Sequence, residues 1–310
     1  MKRLAGAGLT SIAARRLGSG YTASAVASPA SPRRSTTWLG LGTRRVSLAA
    51  RYSSAKYGLR YFTRGYRYAR QITPPAVPIP AETPDAPNPL EAYFDAHTEG
   101  PGIWKWRHYF DIYERHLSRF RGQPIHLVEV GVHGGGSLQM WREYLGPDIR
   151  VSGIDIDPAC RELACDGVEI FIGDQGDRAF WERFLEDAPA IDVVIDDGGH
   201  RPYQQVVTLE SLLPHIRPGG TYICEDIHGP FQPFHAFVDG LTRLLSDVGL
   251  EGESNPTSPL HQQVASIHRY PILTVIEKAV ACAPDFRAAR RGTEWPVGPG
   301  LGGGSRGDSP

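Results

Sequence analysis

The sequence predicts an α/β fold: a seven-stranded, mostly parallel sheet flanked by helices and ended by a C-terminal antiparallel hairpin. Three observations predict it. From Ile125 onward, short β-branched apolar runs alternate with helical segments, the pattern that builds a parallel sheet covered on both faces. The first five runs all end in glycine or acid. The last two runs are separated by so short a turn that they must pair antiparallel.

The body begins at "NPLEAYFDAHTEGPGIWKWRHYFDIYERHLSRF". After the "GPG" break, Trp106, Tyr109, Phe110, Tyr113 and His116 recur at helical spacing, predicting an amphipathic helix from about Ile103 to Phe120. Its aromatic stripe serves as core or as a lid over a pocket. The five parallel strands read "IHLVEVG", "RVSGIDI", "VEIFIGD", "IDVVIDD" and "GTYICED", with helices near 136–145, 158–164, 177–187 and 202–213 between them. A further helix, "FHAFVDGLTRLLSDVG", precedes the hairpin "QQVASIH" and "ILTVIEKA", joined at "RYP". The domain spans 89–281.

The flanks differ from this body in charge. Residues 1–81 hold 14 of the 33 Lys and Arg and no acid, leaving 19 basic residues against all 34 acids from Glu82 onward, a balance of −15. A body so acidic argues against a nucleic-acid partner, because phosphate neutralisation needs the opposite charge. The Arg- and Ser-rich leader, 1–71, reads as an organellar transit peptide without regular structure. "RRVSLAARYSSAK" can place Arg45, Arg51 and Lys56 opposite Val46, Leu48 and Ala49 on a helix, and "ARYSS" resembles a mitochondrial processing site around Tyr52 to Ser54. A plastid peptide, a basic tail on a cytoplasmic protein and an upstream extension from a mis-chosen start are the rival readings. A Pro-rich linker, 72–88, and a Gly- and Pro-rich tail, 282–310, frame the domain as segments without packed structure. No apolar run approaches the roughly 18 residues of a membrane span. Cys160, Cys165, Cys224 and Cys282 lack CxxC spacing and read as ordinary thiols of a reducing compartment.

In an open parallel sheet the ligand lies at the carboxyl ends of the strands, so the chemistry is sought there. The ends read "EVGVHGGGS", "GIDID", "GDQGD", "DDGGH" and "EDIHG". The first loop lacks dinucleotide spacing, since His133 stands where GxGxxG requires glycine, which disfavours a nicotinamide dehydrogenase. Its glycines let backbone approach a ligand without pyrophosphate. Asp155, or its neighbour Asp157, can accept from ribose hydroxyls, and Asp174 with Gln175 from an adenine edge. In "DDGGH", Asp196 and Asp197 either cap the following helix, with His200 in solvent, or serve chemistry.

From Asn88 to about Ala279 the chain resembles class I S-adenosylmethionine-dependent methyltransferases, with their Rossmann-like fold. "GDQGD", "IDDGGH", "PGGTYICEDIH" and "VASIHRYPILTVIEK" are similar to the metal-dependent sugar O-methyltransferases of macrolide biosynthesis and the cephalosporin-hydroxylase-like group. The resemblance implies a cofactor, S-adenosylmethionine, held by Glu129, Gly131, Gly135, Ser137, Asp155, Asp174, Gln175 and Asp196. It implies a divalent ion, Mg2+, on Asp197, Glu225 and Asp226, and His200 as general base; His228, a lesser candidate, reads as a support behind those residues or as a substrate contact. Three converging carboxylates repel one another and a hard cation removes that repulsion. The partner is then a small or sugar-containing acceptor with hydroxyl groups, and a homo-oligomer is left open. The leader has no counterpart in the macrolide enzymes, and their large N-terminal domain has none in this sequence. The rival function is a catalytically silent methyltransferase fold acting as a binding or assembly factor in an organelle.

Overall fold

The computed structural model describes residues 48–72, 87–247, 258–281 and 291–292. Residues 73–86 of the expected linker (72–88), the tail beyond 281 apart from 291–292, Cys282 and the leader before residue 48 lie outside them. Two units emerge, Met1–Ala81 and Glu82–Pro310. In the first, Leu48–Ala69 form α1, a helix of 22 residues within the leader expected to lack regular structure. That stretch contains no proline, and its four Ala and four Arg are good helix formers. The expected processing point around Tyr52 to Ser54 falls inside it. No described helix is long and apolar enough to cross a membrane.

The second unit holds one mixed sheet. Its strands are β1 (His126–Val130), β2 (Arg150–Asp155), β3 (Val168–Ile172), β4 (Ile191–Asp196), β5 (Ile216–Cys224), β6 (Val264–Tyr270) and β7 (Leu273–Lys278). The order is β3-β2-β1-β4-β5-β7-β6. β1 to β5 run parallel, β7 lies antiparallel to β5, and β6 antiparallel to β7. All of the expected strands are present. β5 begins earlier than "GTYICED", at Ile216.

Strand residues alternate between two cores. Leu127, Val151, Val193, Ile195 and Val275 pack with aromatic residues of α3 (Tyr109–Leu117) and α4 (Gly136–Leu145), among them Phe110, Tyr113 and Trp141. Val128, Val130, Ile154, Val194 and Ile276 pack on the other face with residues of α5 (Arg178–Asp187), α6 (Pro202–Leu212) and α7 (Pro233–Leu245). Burial on both faces is why these strands read as continuous apolar runs. α2 (Pro89–Ala96), capped by Asn88 through the Leu90 N–H, adds Leu90 to the first core. A short α8 (Pro259–Gln263) precedes β6.

Two expectations are corrected. The aromatic helix starts at Tyr109 rather than Ile103 and closes in a 3-10 turn, Ser118–Phe120. The residues before it are drawn over the first glycine loop instead: the Gly136 N–H donates to the Gly102 carbonyl at 3.2 Å, and Lys105 reaches buried carboxylates. A buried ammonium that pairs with three acids outweighs a turn of helix. The segment expected as a helix near 158–164 is a 3-10 turn, Pro158–Leu163, capped by Asp157. The β6–β7 turn places the β-branched Ile272 at φ 53°, a strained left-handed position. Its carbonyl accepts from the Ile227 N–H at 2.9 Å and the Tyr109 hydroxyl at 3.3 Å, which offsets that cost.

Candidate active site

The sheet order reverses at β1 and β4, whose neighbours were added in opposite directions, and a cleft opens at their carboxyl ends. Its volume is about 570 Å³, inside the ~300–1,000 Å³ range of small-molecule sites. Of the residues singled out in the sequence, Gly131, Ser137, Asp155, Asp174, Gln175, Asp197, His200, Glu225 and Asp226 line it. Glu129, Gly135 and Asp196 stand behind its wall.

Gly131 explains how the wall closes. At φ 91° it lies in the left-handed region, and a Cβ there would fall 2.2 Å from the Asp197 carbonyl oxygen. Its missing side chain therefore admits the "DDGGH" loop. The two ends are also tied by the Asp197 N–H, which donates to the Val130 carbonyl at 2.9 Å. Gly135 caps α4 at φ 80°, packed against Leu163. Buried Glu129 accepts from Ser137 at 3.0 Å and Trp141 at 3.1 Å, fastening α4 to β1.

Asp155 accepts from the backbone N–H groups of Val132, His133 and Asp157, each at 2.9 Å. Burial works to raise its pKa, yet those three donors hold the carboxyl below its ordinary value. Asp174 accepts from the Gly176 N–H at 2.8 Å and Gln204 at 3.2 Å. Gln175 does not turn its amide to the cleft as expected. Its Nε2 donates to Asp196 at 2.9 Å and Thr208 at 3.1 Å, and its oxygen accepts from the Gly199 N–H. Asp196 also accepts from Tyr222 at 2.9 Å, and burial pushes its carboxyl up to about 6. The Asp196–Gln175 pair thus braces the "DDGGH" loop from behind. Neither aspartate caps α6, whose N-cap is Arg201 without a side-chain bond, so the helix-cap reading fails.

At the far side of the cleft, Asp197, His200 and Asp226 each turn one donor atom to a common point, all within 4.8 Å of one another. His200 Nε2 lies 4.0 Å from Asp197 Oδ1 and 3.9 Å from Asp226 Oδ2. Both His200 and Asp226 sit at positive φ, 53° and 55°. Glu225 does not join this set. Its carboxylate is buried against Lys105 Nζ, 3.0 Å from Oε2, and the Tyr113 hydroxyl, 2.6 Å from Oε1. Lys105 Nζ also bonds Asp197 Oδ2 at 2.6 Å and approaches Glu129 at 4.0 Å. Burial alone would neutralise this lysine, but the carboxylates of Glu225, Asp197 and Glu129 hold its pKa above the ordinary value. Burial and the charge of Asp197 raise the Glu225 carboxyl above its ordinary value as well.

No protein-family model matches the sequence. The chain is 33% identical over 199 residues to an 8-demethyl-8-(2-methoxy-alpha-L-rhamnosyl)-tetracenomycin-C 3'-O-methyltransferase of Streptomyces olivaceus, covering 57% of this chain and 50% of that protein. It is 30% identical over 191 residues to a mycinamicin VI 2''-O-methyltransferase of Micromonospora griseorubida, covering 54% and 47%. The chain therefore spans about half the length of the curated relatives it matches. Among solved structures, MycE methyltransferase in complex with Mg, SAH and mycinamycin VI aligns with a TM-score of 0.51 at 25% identity, over 63% of this chain and 54% of that one. The fold is that of the class I methyltransferases.

On this methyltransferase fold, three contributions escaped the sequence reading. Lys105 comes from the irregular strap before α3. Tyr109 and Tyr113 belong to the aromatic stripe, and their hydroxyls reach Asp226 at 2.8 Å and Glu225 at 2.6 Å, so the stripe is core and also holds two of the site's acids from behind. Trp106 donates to Asp226 Oδ1 at 3.0 Å. The lone lysine between two tryptophans in "GIWKW" was the available signal.

Proposed function

We propose that this chain transfers a methyl group from S-adenosylmethionine to a hydroxyl of a sugar-containing small molecule, with a divalent ion at the acid cluster. The observation that carries this reading is the convergence of Asp197, His200 and Asp226 on one point of the cleft that the glycine loop lines. Two features support a fit to the cofactor. Gln204 Oε1 is buried at the cleft without a hydrogen-bond partner, an acceptor open to an amino group such as that of adenine. Val130, Val132, Ile154 and Ile156 give the same cleft an apolar wall. The donor chemistry also suits a divalent ion. Lys105 neutralises Asp197 and Glu225 only in part, leaving the Asp226 carboxylate and one oxygen of Asp197 turned to the shared point.

When bound, the cofactor supplies an electrophilic methyl group and the ion a Lewis acid that orients the acceptor oxygen. Asp197 and Asp226 would hold the ion, with waters completing it. Lys105, Tyr113, Tyr109 and Trp106 keep the carboxylates in place before any ligand arrives. His200, half exposed at the cleft, takes the proton from the acceptor hydroxyl, and the charge it gains faces Asp197 and Asp226.

The test is transfer of labelled methyl from S-adenosylmethionine to glycosylated polyketide acceptors. Activity is expected to vanish after chelation and return with Mg2+; equal rates in chelated and untreated protein would contradict the metal's role. The acid-free leader is further proposed to direct the chain to mitochondria. Residues 1–75 fused to a fluorescent protein are expected there, and a diffuse signal counts against it.

A further inference from the structure

Apart from the cleft, a second set of ligating side chains gathers where α3 packs on the β6–β7 hairpin. His116, one turn beyond Tyr113 on α3, meets His268 of β6 and Glu277 of β7, with one donor atom from each within 4.8 Å of the others. None of the three lines the catalytic cleft. We propose that His116, His268 and Glu277 form a separate binding site for a divalent transition metal of the zinc class, clamping α3 to the hairpin.

The spacing comes close to that chemistry. Ligand atoms 2.0–2.2 Å from a tetrahedral ion stand about 3.3–3.6 Å apart. His116 Nδ1 lies 3.0 Å from Glu277 Oε1 and His268 Nε2 lies 3.4 Å from Glu277 Oε2, so the carboxylate joins the two imidazoles and an ion would widen the first gap by a few tenths of an ångström. Two imidazoles with one carboxylate favour zinc-class ions over Mg2+, which prefers oxygen. The supporting bonds of such a site are also present. His116 binds the Tyr270 hydroxyl through Nε2 at 2.9 Å, which leaves Nδ1 to face the ion. Glu277 is oriented by Ser266 and Arg119, at 2.9 and 2.8 Å. His268 and Glu277 are partly exposed, which provides a path for the ion.

Two features oppose binding, and both make the proposal testable. The Arg119 guanidinium adds a positive charge beside the ion, and His268 Nε2 must give up its 2.9 Å bond to Ser266. Arg119→Gln should therefore tighten binding if an ion sits here, whereas a network of hydrogen bonds alone predicts no metal affinity in either protein.

The full chain is stripped of metal and titrated with Co2+ and Zn2+, in the wild type and in an Asp197→Asn/Asp226→Asn variant that disables the cleft. The variant is expected to retain one equivalent of Co2+ with the intense visible absorption of tetrahedral coordination, displaced by Zn2+ but not by Mg2+. His268→Gln and Glu277→Gln should abolish that equivalent, and Tyr270→Phe should weaken it by about 10–100-fold. No bound equivalent in the variant, or one that survives His268→Gln, overturns the proposal. Should the double variant not fold, the wild type serves instead: His268→Gln must lower its Zn2+ stoichiometry by one, and an unchanged stoichiometry overturns the site equally.

Discussion

Lys105→Met is expected to cost the folded body about 3–5 kcal/mol, measured by urea unfolding of the full chain, the penalty for removing one partner of a buried ion pair. The reason is local. Lys105 is 3% exposed in its side chain and faces Asp197, Glu225 and Glu129. Methionine fills much of the same volume but leaves Glu225 and Glu129 buried without their cation. Adding Glu225→Gln to Lys105→Met should restore much of the loss, because the neutral amide no longer needs a counter-charge and Tyr113 remains its neighbour. An unchanged unfolding midpoint in Lys105→Met would mean that the lysine is not the charge that holds this cluster together.

His200→Ala is expected to lower turnover by on the order of 10² to 10⁴, the usual contribution of a positioned general base. Cofactor affinity should stay near that of the wild type, because the glycine loop, Asp155 and Asp174 form the other side of the cleft. Partial recovery at high pH is expected, where solvent hydroxide replaces the imidazole. Full activity of His200→Ala would remove it from proton transfer. Activity lost together with metal affinity, and regained at raised Mg2+, would make it a ligand instead, the other role its distances to Asp197 and Asp226 permit.

The sheet was legible because its strands are buried on both faces and read as apolar runs, while the acids and glycines that end them mark the ligand side. The cleft residues on those ends, from Gly131 to Asp226, were legible for the same reason. Lys105 was not. It meets Asp197 and Glu225 across 92 and 120 positions of sequence, and local periodicity instead extended the aromatic helix over it. Gln175 lines the cleft as its place at a strand end implies, but the inward turn of its amide depends on Asp196, Thr208 and the Gly199 N–H, all distant in sequence. The same applies to Glu225, whose orientation depends on Tyr113 and Lys105 rather than on its neighbours in "ICEDIH".

The central claim is that the cleft at the ends of β1 and β4 is built for S-adenosylmethionine, and isothermal titration of the full chain with S-adenosylmethionine and, separately, NAD tests it most directly. Micromolar binding of S-adenosylmethionine is expected, lost in Gly131→Val because a side chain there displaces the Asp197 backbone and opens the cleft wall. The melting temperature of Gly131→Val, read alongside, separates loss of the site from loss of the fold. Absence of S-adenosylmethionine binding by the folded wild type, or tighter binding of NAD, would contradict the account.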